Sequence, residues 1–211
     1  SDPAAAAPAA CNREVPPPML PFVEYQQPAD PAAVRLAIIG EAPGAEEARL
    51  GRPFVGRSGR LLDENLEAVG IDRRRCLVGN VFRHQPPGNK VDHFFASRTR
   101  SRKEGFALAE SWGPFGTAYV RAEFAPDLDH LRDTLARLRP AAIVALGRTP
   151  LWALTGENGI MKLRGQTLEC RMLPGAKVVP TFHPSYILRG QRAEEPVFRA
   201  DIALAWTLAQ G

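Results

Sequence analysis

The sequence predicts an α/β fold, a parallel sheet covered by helices on both faces. Two patterns predict it. Four short apolar runs are continuous rather than alternating, the mark of strands buried on both sides. Segments of helical periodicity lie between them, so strand and helix alternate along the chain. A third pattern says where function sits. The four runs lead into GEAPG, NVFRHQPPGN, LGRTP and FHPSY, and in such sheets ligands bind beyond the carboxyl ends of the strands.

The elements follow in order. Residues 1–32 are rich in Ala and Pro and read as a disordered tail with an extended lead-in, and residues 33–211 as a single domain. Val34–Ile39 is the first buried strand, stopped by Gly40. After Ser58 a helix presents Leu61, Leu62, Asn65, Leu66 and Val69 on one face, and Gly70 closes it. Cys76–Val81 is the second strand, and residues 83–92 are loop. Residues 93–126 hold RTRSRK and aromatic rings at Phe94, Phe95, Phe106, Trp112, Phe115 and Tyr119 among others, and read as an insertion with a short helix near Glu104–Ser111. Asp127–Leu138 is an amphipathic helix. Ala141–Leu146 is the third strand, followed by a helix over Thr149–Thr155. Thr167–Arg171 and Lys177–Thr181 flank LPGA as a hairpin into the fourth core strand. FHPSYILRG reads as loop, and Val197–Ala209 as the closing helix.

Composition narrows the function classes. With 211 residues, 45% apolar and 24% charged, the chain has globular proportions. No run approaches the ~18 apolar residues of a membrane span. The first ten residues lack the basic start and apolar core of a signal peptide, which makes the cytoplasm the default location. A net charge of +4 is compatible with a phosphate-binding face. The three cysteines, Cys11, Cys76 and Cys170, show no C-x-x-C spacing, so neither a disulfide framework nor a thiolate metal site is expected. No G-x-x-x-x-G-K-[ST] stretch or acidic Mg²⁺ cluster supports a nucleotide hydrolase.

The strand-tip loops carry the candidate chemistry. Glu41 and Ala42 lie in GEAPG, where a carboxylate can sit in a semi-dry pocket. Phe54, in the glycine-bounded PFVGRSG, can face a planar ligand. Gly56–Gly59, with Arg57 and Ser58, opens a helix whose N-terminus can meet a phosphate. Asn80 offers a donor and an acceptor together, the pattern that reads a pyrimidine edge. Pro87 and Gly88 make a rigid loop suited to backbone contact. His183 can donate to a developing oxyanion. Ser185, Tyr186, Ile187 and Arg189 follow, and apolar residues exposed beside an arginine suit a wedge entering a duplex.

Together GEAPGAEE with GRPFVGRSG, NVFRHQPPGN and FHPSYILR resemble the uracil-DNA glycosylase superfamily, most closely its family 4, over most of residues 34–209. The resemblance implies a three-layer α/β/α sandwich around a four-stranded parallel sheet. It also implies a monofunctional glycosylase, acting as a monomer on uracil-containing DNA, that flips the damaged nucleotide and cuts its glycosidic bond. In it Phe54 stacks on the base, Asn80 reads its edge, and His183 stabilises the departing anion. Glu41 acts on the sugar cation or the attacking water, and Glu47 lies near C5 of the base. Family 4 holds a four-cysteine iron–sulfur cluster. Here only Cys11 stands in the N-terminal part, His84 replaces the cysteine before PPGN, and Ala48 stands where an acidic residue is common. No cluster and no metal are therefore expected. A damaged-DNA binder, or a protein trapping DNA covalently through a histidine in a basic loop, is the alternative on the same fold; RTRSRK contains no histidine.

Overall fold

The computed structural model describes residues 20–211. The first part of the expected tail, including Cys11, lies outside them. The central sheet has the order β2-β1-β5-β7-β6. Its strands are β1 (Leu36–Gly40), β2 (Leu77–Asn80), β5 (Ala142–Leu146), β6 (Leu168–Glu169) and β7 (Lys177–Thr181). Strands β2, β1, β5 and β7 are mutually parallel, as the sequence predicts. The hairpin adds β6 as a short antiparallel edge, which makes the sheet five-stranded.

Side chains alternate across the sheet, and both faces are buried. Ala37 and Ile39 of β1 join a cluster with Leu131 and Leu135 of α4 (Ala125–Leu138) and Trp152 of α5 (Arg148–Thr155). Leu36 and Ile38 join another with Leu62 and Leu66 of α2 (Arg57–Ala68) and Phe198 and Ile202 of α8 (Glu195–Gln210). All five residues of β1 and of β5 are buried, which is why their sequences carry no polar alternation. The free edge of β2 is covered: Gln26 bridges Val78 and Phe22 bridges His84, so the lead-in runs antiparallel beside it.

The structure departs from the sequence reading in three places. FHPSYILRG is not all loop: Pro184–Leu188 forms the short helix α7, because Pro184 sits at its first turn and His183 caps it. In residues 93–126 the helix lies earlier than expected, at α3 (Arg98–Glu104), where Ser97 caps it and Gly105 ends it. That stretch also pairs β3 (Phe95–Ala96) with β4 (Tyr119–Val120) in a separate small sheet. A further helix, α1 (Ala45–Leu50), begins within GEAPGAEE.

Candidate active site

The sheet order reverses between β1 and β5, the switch point at which doubly wound sheets open a crevice. A cleft of about 710 Å³ opens there. All four parallel strand tips contribute to it. Glu41 and Ala42 follow β1, Asn80 ends β2, Gly147 and Arg148 follow β5, and His183 follows β7. Strand pairing continues into the tips, since Val81 and Phe82 donate to the carbonyls of Gly40 and Glu41 (2.9 and 3.1 Å). Gly40 is the residue the site cannot enlarge. A Cβ there would stand 2.4 Å from the Phe54 ring and 2.5 Å from Asn80 Oδ1, so the glycine lets ring and amide both approach the carboxyl end of β1.

Glu41 is half-buried and bonded across the switch point: Thr149 Oγ1, at the start of α5, donates to Glu41 Oε2. Burial raises the carboxyl's pKa, helped by the charge of Asp92, and the Thr149 bond, then Arg148 and Arg189, oppose the rise. His183 shifts the other way. Burial, assisted by Arg189, lowers its pKa to about 4, so the ring is neutral at pH 7. Ser185 N–H donates to His183 Nδ1 (3.1 Å), and Ser185 Oγ lies 2.8 Å from the same nitrogen. With Nδ1 accepting, the neutral ring carries its proton on Nε2. The Phe54 and His183 rings stand 6.2 Å apart, tilted by 34°.

Most sequence-derived candidates come together. Glu41, Ala42, Glu47, Phe54, Ser58 and Asn80 line the cleft, as do His183, Ser185, Tyr186 and Arg189. Both Glu47 carboxylate oxygens are taken by backbone: Oε2 accepts from Gly44 N (3.1 Å), and Oε1 from Val55 N and Gly56 N (both 3.2 Å). Arg57, Pro87 and Gly88 are exposed but do not line the cleft. Ile187 corrects the sequence reading. It is fully buried against the α2–α8 side of the core, because α7 turns it inward, so it cannot enter a duplex. Tyr186 stacks on Phe182 at 4.9 Å, and Leu188 packs against the same core. The RTRSRK cations are partly neutralised at home, Arg98 by Glu110 and Arg100 by Glu104.

Sequence reasoning passed over Thr149, Arg148 and Met161. Thr149 is fully buried and holds Glu41, Arg148 rests over the Phe115 ring, and Met161 of α6 (Ile160–Leu163) stands 66% exposed at the cleft. The available signal was LGRTP itself: a strand tip with a hydroxyl in the first turn of the next helix.

The described residues do not fit the cluster that the resemblance to family 4 implies. Their cysteines, Cys76 and Cys170, are buried in separate core clusters. Burial pushes both thiols up, Cys76 to about 12, away from the thiolate a metal needs. His84, in the cysteine's place, has Nδ1 2.8 Å from Asp127 Oδ2. Among the described residues no three His, Cys, Asp or Glu side chains gather as a metal site.

Comparison with known proteins identifies the family. The model of the family described as Uracil DNA glycosylase superfamily matches residues 28–206. The chain is 38% identical over 162 residues to a type-4 uracil-DNA glycosylase of Thermotoga maritima, covering 76% of this chain and 69% of that one. It is 30% identical over 200 residues to a type-4 uracil-DNA glycosylase of Pyrobaculum aerophilum, covering 87% and 85%. A third, from Archaeoglobus fulgidus, is 30% identical over 167 residues, covering 76% and 70%. By the extent of the family match and by these relatives, the chain belongs to the uracil DNA glycosylase superfamily.

Proposed function

We propose that this protein is a DNA repair enzyme that removes uracil from DNA and leaves an abasic site. The observation that carries the reading is one cleft lined by a half-buried carboxylate, Glu41, and a neutral imidazole, His183, whose Nδ1 is already occupied. Breaking the bond between C1′ and N1 sends the electron pair to the base and leaves positive charge on the sugar. Glu41 acts on the cationic side. Its raised pKa also suits it to take a proton from the water that adds to C1′. His183 donates Nε2–H to the oxyanion of the departing uracil, and the dry surroundings strengthen both interactions. Phe54 stacks on the flipped base, and Asn80, 5% exposed at the end of β2, reads its edge. Ser58, Ser185 and Arg189 receive the DNA backbone at the cleft, with Arg57, Pro87, Gly88 and Tyr186 around it.

Residues 33–211 act as one catalytic domain in this reading, with an insertion in 93–126. The protein works as a cytoplasmic monomer without an iron–sulfur cluster. Among the described residues no helix is long and apolar enough to cross a membrane. The deciding experiment is single-turnover base release from uracil-containing duplexes, read on denaturing gels. Free uracil and an alkali-labile strand are expected, with no protein–DNA adduct. Asn80→Ala should lose most of this activity while melting normally; full activity in that variant would remove Asn80 from base reading.

A further inference from the structure

Phe54 has a backbone φ of +53°, a left-handed conformation that a bulky aromatic residue adopts only when its surroundings over-determine it. The surroundings here grip four consecutive residues from two sides. Arg73 Nη2 donates to Pro53 O (2.5 Å) and Nη1 to Phe54 O (2.9 Å). Glu47 Oε1 accepts from the next two amides, Val55 and Gly56 (both 3.2 Å). A cation thus holds two successive carbonyls and an anion the two successive amides, all charge-assisted bonds. Arg73 is itself fixed: Nη1 meets Asp63 Oδ1 at 2.8 Å, and Nε donates to Gln26 Oε1 at 3.1 Å. Beneath the loop, Gly59 lets the Phe54 carbonyl approach so closely that a Cβ would stand 1.9 Å from its oxygen.

We infer that Arg73 and Glu47 form a two-sided clamp that fixes the Phe54 ring for stacking on the flipped base, with Arg73 a positioning residue outside the cleft. This rests on the stacking role proposed for Phe54. The fork of an arginine is required, since only a planar guanidinium reaches two carbonyls and a carboxylate together. Glu47 acts on the Phe54 ring through the loop, because both its carboxylate oxygens are already committed to backbone amides.

The test is single-turnover uracil release at saturating enzyme by Arg73→Met, Arg73→Lys, Gly59→Ala, Phe54→Ala and the Arg73→Met, Phe54→Ala double variant, each with its melting curve. Affinity for abasic-product DNA, which has no base to stack, is measured beside it. Arg73→Met should slow release by about 10- to 100-fold, the scale for a misplacement near 1 Å. Arg73→Lys should fall close to it. Gly59→Ala, which displaces the loop without touching charge, should do the same and carries the test if Arg73→Met does not fold. Abasic-DNA affinity should hold, and the double variant should be no slower than Phe54→Ala alone. A folded Arg73→Met at wild-type rate, or losses that multiply in the double variant, overturns the clamp. Wild-type release by Phe54→Ala overturns the stacking role and the clamp with it.

Discussion

The tips of β1 and β7 carry half-buried ionisable side chains in the same cleft, and burial drives them in opposite directions on the pH scale. Low dielectric favours the neutral form of each. In the proposed mechanism the neutral His183 ring is the working state, so burial favours it, and the Ser185 N–H on Nδ1 leaves the proton on Nε2. For Glu41 the working state in that mechanism is the anion, and burial opposes it. The two tips are accordingly built differently. His183 is oriented locally, by Ser185 two residues on. Glu41 depends on Thr149, which lies 108 residues away on another strand tip. A buried donor can be made by one short motif; a buried anion needs the tertiary structure.

The largest effects should come from deleting the two groups. Glu41→Ala and His183→Ala should each slow base release by about 100- to 1,000-fold. They should differ in which bases suffer. Loss of His183 should hurt uracil more than 5-fluorouracil, because the better leaving group needs less anion stabilisation. Loss of Glu41 should slow both alike. Equal dependence on the leaving group in single-turnover assays would erase the distinction between the tips.

A smaller effect tests the difference in support. Thr149→Val removes a bond to a charged acceptor, with a cost on the order of 1.5–3 kcal/mol, or about 10- to 100-fold when it falls on the rate. That bond lowers the Glu41 pKa, so its loss raises the pKa further. The acidic limb of the pH–rate profile should move to higher pH. Ser185→Ala keeps the backbone N–H on Nδ1 and should leave that limb in place. An unmoved limb in Thr149→Val would separate Thr149 from the ionisation of Glu41.

The smallest effects are in stability. A carboxyl whose pKa is raised on folding favours the native state in acid and loses that contribution as pH rises through the folded pKa, so ionised Glu41 costs stability at pH 7. Glu41→Gln should melt higher at neutral pH, by about 2–4 °C for each kcal/mol relieved, while losing activity. For His183 the unfolded chain takes up a proton near 6.5 and the native state only near 4, so stability falls as pH drops through that window. His183→Asn should flatten the melting profile between those values, and Glu41→Gln should not. Melting curves recorded across that range check both signs.

The sequence by itself determined what depends on neighbours along the chain. Short continuous apolar runs alternating with helical segments read as strands covered on both faces, and with them the layers and the rim where Glu41, Asn80 and His183 meet were legible. The histidine cap was within reach of the same logic, since Pro184 and Ser185 follow His183 directly, yet the stretch reads as loop because a five-residue helix shows too little periodicity. Burial was beyond it for the same reason: Ile187 is apolar whether it faces DNA or the core, and only the turn of α7 sends it inward. The tertiary structure also decided the polar partnerships. Thr149 with Glu41, and Arg73 with the Phe54 loop, join residues far apart in sequence. Such bonds leave no pattern along the chain. The donors are ordinary threonine and arginine until folding brings them to buried acceptors, and only there does leaving them unpaired carry a cost.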